Sequence, residues 1–75
     1  MQKADLRELK IKWPSSVVAR TDIRNFTGGL MSERYIANLD SQGAGPKGRF
    51  KVGRKVGYPV DSLISWLEER MEVDE

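Results

Sequence analysis

The chain contains no cysteine and no histidine among its 75 residues. A disulfide framework and a thiolate or imidazole metal site therefore cannot stabilise it. A chain of this length buries only about 60% of the surface that it exposes when unfolded, so it depends on one modest apolar core. The lack of histidine also removes the commonest general base. We expect one small domain without enzymatic activity, cofactor or metal.

The sequence contains no long apolar segment. No apolar run approaches the roughly 20 residues that span a bilayer, and the first residues lack the apolar stretch of a secretory signal. The sequence therefore predicts a soluble, cytoplasmic protein without a membrane partner.

Charge is distributed unevenly along the chain. Residues 1–55 carry twelve Lys or Arg and five Asp or Glu, a net charge of +7, whereas residues 56–75 carry one Arg and six acids, a net charge of −5; the sum is +2. Residues 47–55 include five basic residues and no acid. A concentrated basic segment is typical of a site for a polyanion, although a solvated charged hairpin is an alternative.

Residues 1–15 are predicted to form an N-terminal arm. Leu6, Leu9 and Trp13 share one helical face by their spacing, but the four residues before Pro14 also alternate as in a strand, so both structures remain open. Pro14 disfavours a helix at Trp13 and marks the end of the arm. We expect Trp13 to pack on the domain rather than contact a partner.

Two short helices joined by a glycine-containing turn are predicted next, which makes a helix-turn-helix candidate. The first covers 18–26 and ends at Thr27-Gly28-Gly29, because glycine takes the left-handed backbone that follows a helix. Its apolar stripe is Ala19, Ile23 and Phe26. The second begins near Ser32, a good N-cap. Its expected inward stripe is Met31, Tyr35, Ile36 and Leu39.

A β-hairpin and a last helix follow the loop 41–48. Apolar residues alternate on both sides of a basic tip at 53–55. Asp61 is expected to cap the last helix, whose apolar face is Leu63, Ile64, Trp66, Leu67 and Met71. The predicted class is α+β, a small winged helix-turn-helix with a two-stranded β-hairpin wing and a C-terminal helix. This domain covers 16–71, and 72–75 form an acidic tail.

Two apparent chemical motifs have plainer explanations. Residues 43–48 match G-x-G-x-x-G, but they follow a helix and lead into a strand, whereas a dinucleotide site needs the reverse order. Three isolated acids fall at predicted helix or loop edges, where capping explains them: Asp22, Asp40 and Asp61. Neither feature indicates catalysis.

The two helices followed by a basic hairpin favour a DNA-binding surface. Arg34 and Asn38 lie four residues apart on the second helix, where arginine can pair with guanine and asparagine with adenine. Ser32 and the helix N-terminus can receive a phosphate, whereas Glu33 repels one. The hairpin and its preceding loop offer cations for the backbone or minor groove: Lys47, Arg49, Lys51, Arg54 and Lys55.

The run from about 17 to 70 resembles the small excisionase-like and AlpA-type winged helix-turn-helix proteins of phages and integrating elements, distant relatives of MerR-type DNA-binding domains. The matching pieces are 22–28 (DIRNFTG), Ser32, Gly45-Pro46, 50–58 (FKVGRKVGY) and 61–67 (DSLISWL). The hairpin and last-helix pieces are the more specific half. The run that holds these pieces, in the expected order, spans about three quarters of the chain.

The resemblance implies a site and a role. In this family the second helix enters the major groove and the wing contacts the minor groove and backbone. The implied contacts are Ser32, Glu33, Arg34, Tyr35 and Asn38 on the helix, and Lys51, Arg54 and Lys55 on the wing. The chain departs from the family at Ala19, where Thr or Ser often caps the first helix, and in its longer, more acidic loop at 40–44.

The resemblance predicts a prophage or integrative-element protein that binds specific double-stranded DNA. It would act as an excisionase, that is, a recombination directionality factor, or as an AlpA-type transcriptional regulator. Integrase or RNA polymerase is a candidate partner, and self-association on DNA is expected because one domain offers few contacts. The alternative is a protein-interaction module, an anti-repressor or scaffold, whose basic wing contacts an acidic protein. RNA binding is a weaker alternative, because Tyr35 and Tyr58 alone make no stacking platform.

Overall fold

The computed structural model of the protein describes residues 7–71. Leu6 and the acidic tail predicted for 72–75 lie outside the described residues. Along the chain the elements are helix α1 (Arg7–Lys12), strand β1 (Val17–Ala19), a 3₁₀ turn (Arg20–Asp22), helix α2 (Ile23–Phe26), helix α3 (Glu33–Ser41), strands β2 (Phe50–Val52) and β3 (Lys55–Pro59), and helix α4 (Val60–Arg70). This confirms the α+β class. None of the helices in 7–71 is long and apolar enough to cross a membrane.

The strands form one antiparallel sheet with β3 in the middle. Strand β2 pairs with β3 so that Val52 lies opposite Lys55, which confirms the predicted hairpin. Strand β1 pairs with the other edge of β3, where Val18 lies opposite Tyr58. The sheet therefore has three strands, and the prediction of two was incomplete.

The hairpin turns through two residues, Gly53 and Arg54. Gly53 has a φ of +64°, and Arg54 keeps a negative φ. A type II′ turn takes glycine at its first central position, and its twist matches that of the flanking strands. The glycine thus allows the hairpin to close tightly with Arg54 at its tip.

The segment predicted as one helix over 18–26 contains three elements: strand β1, the 3₁₀ turn and the four-residue helix α2. Val17 and Val18 are β-branched and favour a strand, and pairing with β3 provides the partner that a local pattern cannot show. Ala19 precedes the 3₁₀ turn without a side-chain capping hydrogen bond. Ile23 and Phe26 are buried as expected, so the apolar spacing was interpreted correctly although the helix bounds were wrong.

The turn between α2 and α3 is built as predicted. Gly28 and Gly29 have φ values of +66° and +90°. The Thr27 hydroxyl donates to the Ile23 carbonyl at 2.9 Å and accepts from the Met31 amide at 3.1 Å. Because both hydrogen bonds are buried, Thr27 ties the end of α2 to the approach of α3.

Helix α3 begins as predicted but presents one side chain differently. Ser32 is its N-cap and accepts a hydrogen bond from the Tyr35 amide at 3.0 Å. Ile36 and Leu39 are buried, whereas Tyr35 is 48% exposed, so its assignment to the inward stripe was wrong. Successive helix positions are about 100° apart, and a face centred on Ile36 and Leu39 leaves Tyr35 at its rim.

The core lies between the inner face of the sheet and helices α2, α3 and α4. Its buried apolar members are Val18, Ile23, Phe26, Met31, Ile36, Leu39, Val56, Tyr58, Val60, Leu63, Ile64 and Trp66, with Leu9, Trp13 and Leu67 packed against them. Met71 follows α4 and is half-buried. The apolar face predicted for the last helix is thus buried at its centre and partly exposed at its end.

The described part of the arm packs on the domain. The Trp13 ring meets Phe26 edge-on with centroids 5.1 Å apart, and its Nε1 donates to the Val17 carbonyl at 2.9 Å. The helical alternative for the arm holds over Arg7–Lys12. Lys10 Nζ lies 2.8 Å from Asp61 Oδ1. The prediction that Asp61 caps α4 is wrong: α4 begins at Val60 with Pro59 in the N-cap position, so Asp61 lies inside its first turn.

Candidate nucleic-acid interface

The outward side of α3 presents the polar residues that were predicted for it. Glu33, Arg34, Tyr35 and Asn38 are all exposed, whereas Ser32 is half-buried and its hydroxyl caps the helix. Because this side also includes the carboxylate of Glu33, it would repel a phosphate placed near that residue. Arg34 can donate hydrogen bonds to a ligand, and the Asn38 amide can both donate and accept them.

A concave surface joins the start of α3 to the segment before it. Thr21 and Arg24 line this surface together with Ser32 and Arg34. Sequence reasoning missed Thr21 and Arg24. The available signal was their spacing of three, which turns both away from the buried Ile23 and Phe26 and leaves them exposed.

The basic residues of the hairpin and its preceding loop do not form one cluster. Lys51, Arg54 and Lys55 are exposed on the hairpin itself. Lys47 lines a groove between its loop and α4, where Asp61 and Glu69 are also lining residues. Arg49 is committed to an internal contact with Asp40. The hairpin therefore presents three cations that are free of the acids near Lys47.

Asp40 is the buried centre of a charged network at the end of α3. Arg20 Nη2 donates to its Oδ2 at 2.7 Å, and the Tyr58 hydroxyl donates to the same oxygen. Arg20 Nε also donates to the Tyr58 hydroxyl at 3.0 Å. These three residues join α3, the 3₁₀ turn and β3. The expectation that Asp40 caps a helix edge is wrong, because its side chain points into the domain.

Arg49 completes the network from the chain segment that leads into β2. Its Nη1 lies 3.2 Å from Asp40 Oδ1 and donates to the Asp40 backbone carbonyl at 3.0 Å. Oδ1 is buried and accepts no hydrogen bond from the described residues. Its contact with Arg49 is an ion pair. The end of α3 and the base of the hairpin are thus connected through one carboxylate.

Burial and charge act together on the two partners of Oδ2. Burial, together with the hydrogen bond to Asp40, raises the pKa of Tyr58 to about 12, while Arg20 opposes the shift. Burial lowers the pKa of Arg20, but its hydrogen bonds to Tyr58 and Asp40 outweigh burial, so the net shift is upward. Both shifts favour a protonated phenol and a charged guanidinium beside the carboxylate.

Gly45 lies directly against this carboxylate. A Cβ at position 45 would be 1.8 Å from Asp40 Oδ1, far inside van der Waals contact. Gly43, two residues earlier, has a φ of +76°. The carbonyl of Ala44, between the two glycines, accepts a hydrogen bond from Trp66 Nε1 at 2.8 Å. The loop that separates α3 from the hairpin is therefore held close to both Asp40 and α4.

We expect the raised pKa of Tyr58 to appear as an alkaline loss of stability. The free phenol has a pKa of 10.0 and the folded one about 12, so its contribution is complete below pH 10 and is lost as pH rises from 10 to 12. Between pH 9 and pH 11 the free energy of unfolding should fall by about 1 kcal/mol more in the wild type than in Tyr58→Phe. Urea unfolding at both pH values measures this. Equal losses in the two proteins would contradict it.

The described residues contain no group of three or more His, Cys, Asp or Glu placed to hold a metal ion. They form an α+β domain in which an exposed polar helix and a basic hairpin are joined through a buried carboxylate. Comparisons with protein-family models, with curated proteins and with solved structures found no match to the chain.

Proposed function

We propose that the chain is a small winged helix-turn-helix protein that binds double-stranded DNA. In this proposal α2, the Gly28-Gly29 turn and α3 are the helix-turn-helix, and β2 and β3 are the wing. The observation that carries the proposal is an exposed polar α3 joined through Asp40 to a hairpin with three exposed cations. Between Asp40 and Asp61 the sequence has no acid, so no carboxylate opposes a phosphate along the hairpin.

Helix α3 is the proposed reading element. Its nine residues span about 13 Å, a length that fits across the major groove. Arg34 and Asn38 are one turn apart and exposed, so they can reach neighbouring base edges. Tyr35 lies beside them at the rim of the buried face, where its exposed ring can contact the sugar or a thymine methyl. In the proposal Arg34 and Asn38 discriminate between bases.

The proposed contribution of the wing is affinity and register. Lys51, Arg54 and Lys55 can each neutralise a phosphate, and such contacts place a protein on the duplex without reading sequence. Thr21 and Arg24 lie beside the start of α3 and add a hydroxyl and a cation that can contact the DNA backbone there. The Asp40 network supports the proposal because it fixes the wing relative to α3.

A role as excisionase or as AlpA-type transcriptional regulator is part of the proposal, and it rests on the resemblance of the 22–28, 50–58 and 61–67 segments to those families. Either role works through positioned binding and not through bond chemistry. An integrase or RNA polymerase is the corresponding protein partner. Binding as several copies on adjacent sites would supply the specificity that one nine-residue helix lacks.

We expect the full chain to bind random-sequence duplex DNA with a strong salt dependence. The four exposed cations that the proposal assigns to phosphates, Arg24, Lys51, Arg54 and Lys55, predict a slope of log K against log salt of about −3 to −4. Fluorescence anisotropy with an end-labelled duplex at several salt concentrations measures it. Absence of binding at the lowest salt would overturn the proposal and favour the protein-interaction alternative.

A further inference from the structure

The outer face of the three-stranded sheet carries apolar side chains that no residue in 7–71 fully covers. Antiparallel partners lie on the same face, so the register places Phe50 with Gly57 and Val52 with Lys55 on one side, and Val56 and Tyr58 on the other, buried side. Strand β1 continues the outer face with Val17 and Ala19. The exposed apolar members of this outer sheet face are Val17, Phe50 and Val52.

Val52 is the most exposed member of the outer sheet face. It is 72% accessible, compared with 38% for Phe50. The Phe50 ring lies flat enough on β3 that a Cβ at position 57 would be 2.8 Å from its Cζ. Phe50 therefore already has a packing partner, whereas Val52 offers its methyl groups to solvent one residue before the turn.

The charges around Val52 decide what can cover it. Lys55 is its direct cross-strand partner, and Arg54 occupies the adjacent turn. A second copy of the chain docked so that the two Val52 side chains met would bring two such cationic tips together, and like charges held opposite each other are destabilising. A duplex offers the complementary surface, since the apolar carbons of each deoxyribose lie between two phosphates.

We propose that Val52 is a DNA-binding residue that acts by apolar burial, its methyl groups packing on deoxyribose carbons while Arg54 and Lys55 hold the flanking phosphates. This inference rests on the proposed function and deepens it, because it assigns part of the affinity to a side chain without charge. Apolar burial is not screened by salt, whereas phosphate neutralisation is. The two contributions are therefore separable in one titration series.

Val52→Thr tests the inference, because it keeps the β-branched shape and strand preference and replaces one methyl by a hydroxyl. We expect about fivefold weaker DNA binding at every salt concentration, with an unchanged salt slope and an unchanged Tm. The matched control is Ile11→Thr, which makes the same kind of change at a side chain that is 80% exposed on α1. We expect its affinity to equal that of the wild type.

The outcomes separate this inference from the proposed function. If the wild type binds no duplex, the proposed function fails first. If the wild type binds with the expected slope and Val52→Thr equals it, only the inference about Val52 is overturned. It is also overturned if Val52→Thr leaves DNA affinity unchanged but dissociates a dimer in sedimentation, because the outer sheet face would then bind a second copy.

Discussion

Replacing Asp40 by alanine is expected to lower the free energy of unfolding by about 3–5 kcal/mol, the usual cost of removing one member of a buried ion pair. The variant leaves the half-buried Arg20 without its counter-ion and the buried Tyr58 hydroxyl without its acceptor. A domain of 75 residues has a total stability of roughly 4–11 kcal/mol. The expected loss is therefore a large fraction of the total stability, and Asp40→Ala should have a clearly lower urea midpoint and Tm than the wild type.

Urea unfolding followed by tryptophan fluorescence and circular dichroism measures this effect. The control is Asp61→Ala, which removes an equally short ion pair, Lys10–Asp61, at the surface. Because water screens that pair, the expected loss is below about 1 kcal/mol. Similar losses in the two variants would show that burial of the Asp40 network adds nothing to stability.

Reversing the charge at the wing tip, Arg54→Glu with Lys55→Glu, is expected to weaken DNA binding by about a hundredfold or more at moderate salt. Each lost phosphate contact also reduces the salt slope by about 0.9, so the slope should become shallower by about 2. Both side chains are exposed and free of intramolecular ion pairs among the described residues. The reversal should therefore leave the fold intact.

The matched control for the wing reversal changes the same net charge elsewhere. Lys10→Glu with Lys12→Glu alters two exposed cations of α1, outside the proposed interface, but it also replaces the surface ion pair Lys10–Asp61 by two acids, so the fold of this control is verified by circular dichroism. We expect this control to retain most of the affinity and the slope of the wild type. If the two double variants lose affinity equally, the affinity for DNA depends only on net charge and the hairpin has no specific role.

Local signals predicted the elements whose stability is local. Ser32 as N-cap, the glycine turn after α2 and the hairpin around Gly53 are each specified by neighbouring residues, and all three are found. Strand β1 was missed because its partner is about forty residues away in β3. Three valine and alanine residues before a helical pattern do not reveal such a partner.

The sequence predicted the exposed residues of the candidate site but not the buried network behind them. Exposure of Arg34, Asn38 and the hairpin cations follows from periodicity, and the structure places them at the surface. The network around Asp40 was not predictable, because its partners Arg20 and Tyr58 lie 20 and 18 residues away along the chain. Sequence alone does not distinguish an aspartate that caps a helix from one whose carboxylate accepts hydrogen bonds from an arginine and a buried tyrosine.

The contact between Gly45 and Asp40 restricts which substitutions can accumulate in this chain. A side chain at 45 fits only after the carboxylate at 40 has gone, and loss of that carboxylate alone leaves Arg20 and Tyr58 unpaired. Either order of change passes through a poorly folded intermediate. In diverging descendants of this sequence, Gly45 and Asp40 should therefore be kept together or replaced together. The same holds for Arg20 and Tyr58, which donate hydrogen bonds to the carboxylate.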